Sequence, residues 1–455
     1  MVTDGLPVPR RYWAILTIVI AVAMAVLDGA IANTALPTIA RELQASPATA
    51  VWVVNAYQLA VIVTLLPFAS LGDIFGYKRV YAAGLVVFTL ASLACALSWS
   101  MPTLIAARVL QGFGGAGIMS INTALVRFVY PRRMLGRGVG YNALVVAIST
   151  AIGPTVASAI LSVASWQWLF AVNVPLGFVA LALAVRMLPR TPRSGHEFDA
   201  GSAVLNACAL GLLIIGIGGA AHGTSRLVMA AELLGALAFA VALVRRQLRL
   251  PAPMLPVDLF RRPIFALSAA TAVCSFAAQS LAYVSLPFLF QGPLGRTQVE
   301  TGLLMTPWPM IVAVMAPIAG RMADRYPVGI LGGIGMAVLS AGLLLTATLP
   351  AHATTVEIVW RMLVCGAGFG FFQAPNVRAL MHGVPAERSG GASGIVSTAR
   401  LLGQSVGAAL VALCFGLAPT HGATLALLLG AGFAGAASVV SFARMVEFGT
   451  ERVAQ

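Results

Sequence analysis

Residues 12–37 read YWAILTIVIAVAMAVLDGAIANTALP, and a single charge, Asp28, interrupts these twenty-six positions. As an α-helix rising 1.5 Å per residue the run is about 39 Å long, longer than the ~30 Å hydrocarbon core of a bilayer. Inside hydrocarbon every backbone N–H and C=O must be paired within the segment, so such a run predicts a spanning helix. It follows Arg10-Arg11 and outruns the apolar region of a secretory signal, so it is read as a retained helix.

The rest of the chain repeats the pattern. Of 455 residues 59% are hydrophobic and only 9% charged, against roughly 25% charged in soluble domains. A soluble enzyme, a nucleic-acid-binding domain and a disordered chain are excluded as the main reading. Further apolar runs begin near Ala48, Val80, Pro102, Gly138, Trp166, Asp199, Arg226, Pro263, Val299, Val328, Thr355, Gly390 and His421. With the first, these make fourteen predicted spans, and the fold class is an all-α integral membrane protein. Cys95, Cys208, Cys274, Cys365 and Cys414 lie singly in apolar stretches and read as small core residues.

Basic residues set the expected topology. With both termini in the cytoplasm, twenty-two of the twenty-eight basic residues fall in inner loops and three, Arg41, Arg226 and Arg296, in outer ones. That asymmetry also accounts for the net charge of +14 without nucleic acid. An internal echo divides the chain. Pro67-Phe-Ala-Ser-Leu-Gly-Asp73 and Pro317-Ile-Ala-Gly-Arg-Met-Ala-Asp324 close the second and tenth spans. Ala107-Arg108-Val-Leu is matched by Trp360-Arg361-Met-Leu. The reading is a six-helix half over 1–190, a two-helix linker over 191–261 and a second half over 262–455, with a site between the halves.

Several segments carry a family likeness. Leu27-Asp28 through Asn33 to Pro37 falls at the end of the first predicted helix, and Trp52-Val-Val-Asn55-Ala-Tyr57-Gln58-Leu59 opens the second. Asp73-Ile-Phe-Gly76-Tyr-Lys78-Arg79 forms the next loop, followed by Arg108-Val-Leu-Gln111-Gly112, Gly153-Pro154 and Trp166-Gln-Trp168-Leu-Phe170-Ala-Val-Asn173-Val-Pro175. Arg400-Leu-Leu-Gly403-Gln404 lies in the thirteenth span. Together they resemble the major facilitator superfamily, and more narrowly its fourteen-helix drug:proton antiporters. Ala69, Ile74 and Ala157-Ser158 depart from that pattern, with small or neutral residues where the family has glycines or a base. The resemblance implies a major facilitator fold, a proton gradient as energy source with no cofactor, and a cytoplasmic latch at Asp73, Gly76, Lys78 and Arg79. It also implies an antiporter-type motif at Gly153 and Pro154.

Asp28 is the one carboxylate well inside a span, in the expected outer third of the membrane. A charge there is costly unless it meets a partner or a cavity, which makes it a candidate proton- or cation-binding group; the alternative is a structural helix-end carboxylate. Arg108 is expected at nearly the same depth, where it either meets Asp28 or snorkels to the outer headgroups. Asn33, Asn55, Gln58, Asn142, Gln279, Tyr283, Gln373, Asn376, Arg400 and Gln404 are polar candidates for a substrate cavity, with Met305 and Trp308 as adaptable apolar contacts. Each is equally able to bond or pack across helices. Thr297–Glu300 and Thr354–Glu357 match capping boxes, and Glu232 in the linker is assigned to Arg226.

Two enzyme-like signals fail. Gly112-Phe-Gly114-Gly115-Ala-Gly117 lies inside an apolar span with no preceding strand, and the only lysine, Lys78, follows Tyr77 rather than glycine. The expectation is therefore a proton-coupled exporter of lipophilic, often cationic compounds. It would act as a monomer in the inner membrane of a prokaryote, with small-molecule substrate, protons and lipid as partners. A narrow metabolite or antibiotic transporter is the alternative, and a membrane enzyme or receptor a weaker one.

Overall fold

The apolar runs fold as helices because lipid offers the backbone no other partner. The computed structural model describes residues 5–131, 134–191, 193, 198–219, 224–250, 257–381 and 389–453; Arg132, Arg133, Glu197 and Arg388 lie outside them. The described residues form α-helices and a 3-10 turn but no strand, and fourteen helical stretches among them are long and apolar enough to cross a membrane. The first unit begins with α1 (Arg10–Glu42), α2 (Pro47–Ala50), α3 (Trp52–Phe75) and α4 (Tyr77–Ala96). It continues with α5 (Met101–Val129), α6 (Leu135–Val163), α7 (Trp168–Ala171) and α8 (Asn173–Met187).

The linker supplies α9 (Ala200–Gly219) and α10 (Arg226–Gln247). Then come α11 (Pro263–Gln291), α12 (Gln298–Met305), α13 (Pro307–Met322), α14 (Val328–Ala347), α15 (Thr355–Met381), α16 (Ser389–Leu417) and α17 (Gly422–Val453). Contacts group the chain into two units, 1–211 and 212–455, so the boundary falls inside α9.

One expectation changes at the outset. α1 does not stop near Pro37 but runs through it to Glu42, so Asp28 lies near the middle of a 33-residue helix. A proline is tolerated inside a membrane helix, where it removes the one bond to the carbonyl four residues back, that of Asn33. Proline does break the tenth span, where Pro307 starts α13 directly after Thr306.

The two units repeat each other contact by contact. In the first, α5 packs on α3 and α4, α6 on α1, and α8 on α1 and α4; in the second, α15 packs on α13 and α14, α16 on α11, and α17 on α11 and α14. Glycines set the register. A Cβ on Gly112 would strike the Tyr57 carbonyl, and one on Gly366 the Trp308 carbonyl. Gly114 lies against the Phe88 backbone as Gly368 lies against that of Leu339. The glycine run of α5 is thus helix packing, and only the absence of side chains allows so close an approach. In this register Arg108, four residues before Gly112, corresponds to Met362, four before Gly366. The Arg108–Arg361 echo is one residue out of step, so Arg361 turns to a different face and rests on the Trp360 ring.

Candidate functional site

Asp28 and Arg108 meet in the interior of the first unit. They form an ion pair between Asp28 Oδ2 and Arg108 Nη1, with relative exposures of 2% and 0%. The snorkelling alternative for Arg108 is excluded. Gln111, one turn beyond Arg108 on the same face of α5, donates from Nε2 to Asp28 Oδ1 at 2.7 Å. Asn173, at the start of α8, donates to the same oxygen at 3.0 Å.

Arg108 is held as firmly as its partner. Its Nε donates to the Val53 carbonyl at 2.9 Å and its Nη1 to Gln111 Oε1 at 2.6 Å. The guanidinium lies 4.3 Å from the Tyr57 ring centroid and 5.5 Å from that of Phe170, within cation–π range. Ser92 accepts from Gln111 Nε2 at 2.9 Å, and the Cys95 thiol donates to Gln111 Oε1 at 3.5 Å. Five helices, α1, α3, α4, α5 and α8, therefore contribute to one network around the ion pair. One atom of the group, Arg108 Nη2, has no hydrogen-bond partner. Gly153 brings α6 in beside it, since a Cβ there would collide with Ala30, two residues beyond Asp28. Pro154 lies inside α6.

The sequence pointed to Asp28 and Arg108 but gave no role to Gln111, Asn173, Ser92 or Tyr57. The i, i+3 spacing of Arg108 and Gln111 was the available signal for the first. Asn173 and Ser92 meet Asp28 and Gln111 only through folding, 145 and 19 residues away.

Asp73 is exposed and accepts from the Tyr77 hydroxyl rather than from a basic side chain. Lys78 donates to the Val185 carbonyl of α8 at 2.6 Å, and the Tyr77 N–H donates to Thr191 Oγ1 at 2.9 Å. Arg79 is exposed. The loop is thereby tied to the end of its own unit. Gly76 turns the chain at φ +93°, a conformation that favours glycine. In the second unit the matching Asp324 does pair with Arg378, both partners exposed.

The candidate cavity residues divide among several environments. Asn142 accepts from Asn122, and Asn376 holds Arg444 and the Ser268 carbonyl, so both bond across helices. Asn55 is buried with neither amide atom partnered, while Asn33 Oδ1 and Gln58 Oε1 also lack partners. Gln279, Gln373 and Gln404 are half-buried, and the Gln404 carbonyl accepts from Ser280. Arg400 is half-buried with an unpartnered Nε. Met305, Trp308 and Tyr283 are buried, the last two in ring contact. Glu300 and Glu357 close their capping boxes with Thr297 and Thr354. Glu232 does not pair with Arg226: six residues turn a helix by about 240° beyond a full circle, placing the two on different faces. It lies instead against Gly216 of α9 with Oε2 unpartnered.

A multi-pass helical chain built from two repeated units, one of them enclosing a buried ion pair, has the architecture of a membrane transporter rather than an enzyme. Residues 18–408 match the model of the Major Facilitator Superfamily, and the chain belongs to it. It is similar to the uncharacterized transporter YebQ of Escherichia coli (strain K12), 56% identical over 98% of each chain. The riboflavin transporter RibZ of Clostridioides difficile (strain 630) is 28% identical over 90% of each. The multidrug resistance protein Stp of Mycobacterium tuberculosis is 31% identical over 85% of this chain and 73% of its own. Among solved structures, a POT family transporter in complex with thioalcohol conjugated peptide overlays with a TM-score of 0.73 at 14% identity. It covers 97% of this chain and 96% of its own, a likeness of fold alone.

Proposed function

We propose that the chain is a proton-coupled exporter of lipophilic drugs or toxic compounds, cations among them, working by alternating access in a prokaryotic inner membrane. The observation that carries this reading is the enclosure of Asp28 with Arg108 by five helices. A proton arriving at Asp28 removes the countercharge of Arg108 and leaves it with the Val53 carbonyl, Gln111 and the Tyr57 ring. Those partners sit on α3 and α5, so protonation weakens the hold of α1 on both. A change in helix packing tied to one proton is what a two-state carrier requires. The relationship to the multidrug resistance protein Stp supports drugs as substrates.

A narrow metabolite transporter is the second reading, favoured by the 90% mutual coverage with the riboflavin transporter RibZ. Efflux of several dyes from vesicles under an imposed pH gradient tests both, comparing wild type with Asp28→Asn. Loss of gradient-driven efflux in the variant supports the coupling role. Undiminished efflux of every substrate sinks it, and failure of the wild type to move any dye leaves the narrow transporter.

A further inference from the structure

α3 carries a proline inside the helix, Pro67, and it has no N–H to give. The carbonyl four residues back, that of Val63, therefore loses its helical partner. Inside a membrane such a carbonyl needs a donor from elsewhere. The linker supplies one: Asn206 of α9 donates from Nδ2 to the Val63 carbonyl at 3.0 Å. Asn206 is only 5% exposed, and Ser202 and Ala209, one turn to either side, are buried with it. One face of α9 thus holds the amide inward, in the part of the helix that groups with the first unit.

The placement of the amide is fixed from both directions. Asp199 accepts from the Ser202 N–H at 3.1 Å, which sets the first turn of α9 just before Asn206. Earlier in the linker, Thr191 Oγ1 accepts from the Tyr77 N–H at the corner after α3. The linker therefore grips α3 on both sides of its proline, at Val63 and just past Phe75. A proline is where a helix bends most readily. What lies beyond this one is the Gly76 turn and Lys78, which reaches the Val185 carbonyl. Polar side chains in membranes often bond across helices with no further role. Here the bond falls on the carbonyl that Pro67 leaves free, which an incidental contact has no reason to select.

We propose that α9 braces a proline hinge in α3, with Asn206 as the positioning residue, so that the linker sets how the loop from Asp73 to Arg79 swings during transport. The swing rests on the alternating-access reading above; the brace does not.

Hydrogen exchange of the purified full chain in lipid nanodiscs tests the brace without any substrate. Asn206→Leu keeps the bulk and removes the donor, while Pro67→Ala gives position 67 an N–H that takes the Val63 carbonyl. With Pro67 present, Asn206→Leu is expected to speed exchange over residues 68–78 about three- to tenfold, the loss of one buried hydrogen bond. In the Pro67→Ala chain the same replacement should change it less than about twofold, because the two sites are then uncoupled. Exchange unaltered by Asn206→Leu overturns the brace, and so does an equal rise in both backgrounds. A melting curve equal to wild type certifies each fold. If Asn206→Leu does not fold, adding Pro67→Ala should restore it, and failure to do so overturns the brace in favour of simple packing.

Dye efflux from vesicles under a pH gradient reads the part in transport. Asn206→Leu should lower turnover about threefold or more at an unchanged half-saturating dye concentration, the same single hydrogen bond being lost. It should add no loss to that of Pro67→Ala. Unchanged turnover beside the expected exchange pattern overturns the part in transport. A wild type that moves no dye overturns the export reading alone, and exchange still decides the brace.

Discussion

Asp28 on α1 and Arg108 on α5 form an ion pair shut away from solvent on every side, 80 residues apart in the chain. Two charges taken out of water are expensive, and removing one of them strands the other. Arg108→Ala should therefore cost about 3–5 kcal/mol of unfolding free energy, measured by denaturation in detergent. Arg108→Lys should fall between alanine and wild type, because one ammonium cannot reach Asp28, the Val53 carbonyl and Gln111 together.

The exposed Asp324–Arg378 pair predicts the opposite scale. A solvated ion pair contributes between zero and about 1 kcal/mol and is screened by salt. Arg378→Gln should shift the same denaturation midpoint slightly, and the shift should vanish at high ionic strength. An effect as large as that of Arg108→Ala would mean that the pair is enclosed.

Glycine contacts give a graded test of the packing register. Gly114→Ala forces a methyl into the Phe88 backbone and should cost about 1–3 kcal/mol, as overpacking does. Gly368→Ala should match it, since it meets the Leu339 backbone in the same way. Gly432, with nothing within 4 Å of its added Cβ, should accept alanine without loss. Thermal melting of the three variants side by side is the measurement.

The turn at Gly76 should resist substitution for a different reason. Its Cβ has room, the nearest atom lying 3.5 Å away at Thr191 Oγ1, but φ +93° strains any other residue. Gly76→Ala should cost about 1–3 kcal/mol and loosen the bond from the Tyr77 N–H to Thr191. Faster proteolysis or hydrogen exchange around Tyr77 would register it.

Glu232 lies far along the chain from the ion pair and packs on α9 without a partner. Glu232→Gln should leave gradient-driven transport as it is in the vesicle assay, while Asp28→Asn abolishes it. Loss of transport in Glu232→Gln would give the two-helix insert a part in coupling.

The fold was legible because hydrocarbon imposes one secondary structure: span starts at Arg226, Pro263, Val328 and Thr355 coincide with the helices observed. Asp28 and Arg108 were legible because charge inside an apolar run is rare. Gln111 and Asn173 were hidden among neutral polar residues that bond across helices anywhere. The echo of Arg108 in Arg361 misled by one position, since letters were matched while the true register is set by Gly112 and Gly366, where nothing but backbone contact speaks. The bond from the Tyr77 hydroxyl to Asp73 was not legible, because the motif drew attention to Lys78 and Arg79 rather than to the tyrosine between them and Gly76. The end of α1 was misplaced because Pro37 was read as a stop.

The duplicated architecture keeps its titratable group in one copy only. Met362 stands where the second unit would hold its arginine, and the stretch of α11 that Gly407 packs against, 277–280, is Ala-Ala-Gln-Ser. If Asp28 carries the coupling proton, one proton enters per turnover, and substrate charge then decides the electrical work. Exporting a monovalent cation moves no net charge; exporting a neutral molecule moves one, and an anion two. Each charge draws about 2.3 kcal/mol from a potential of 100 mV. A neutral or anionic substrate would therefore be driven by voltage even with equal pH on both sides, whereas a monovalent cation would ignore it.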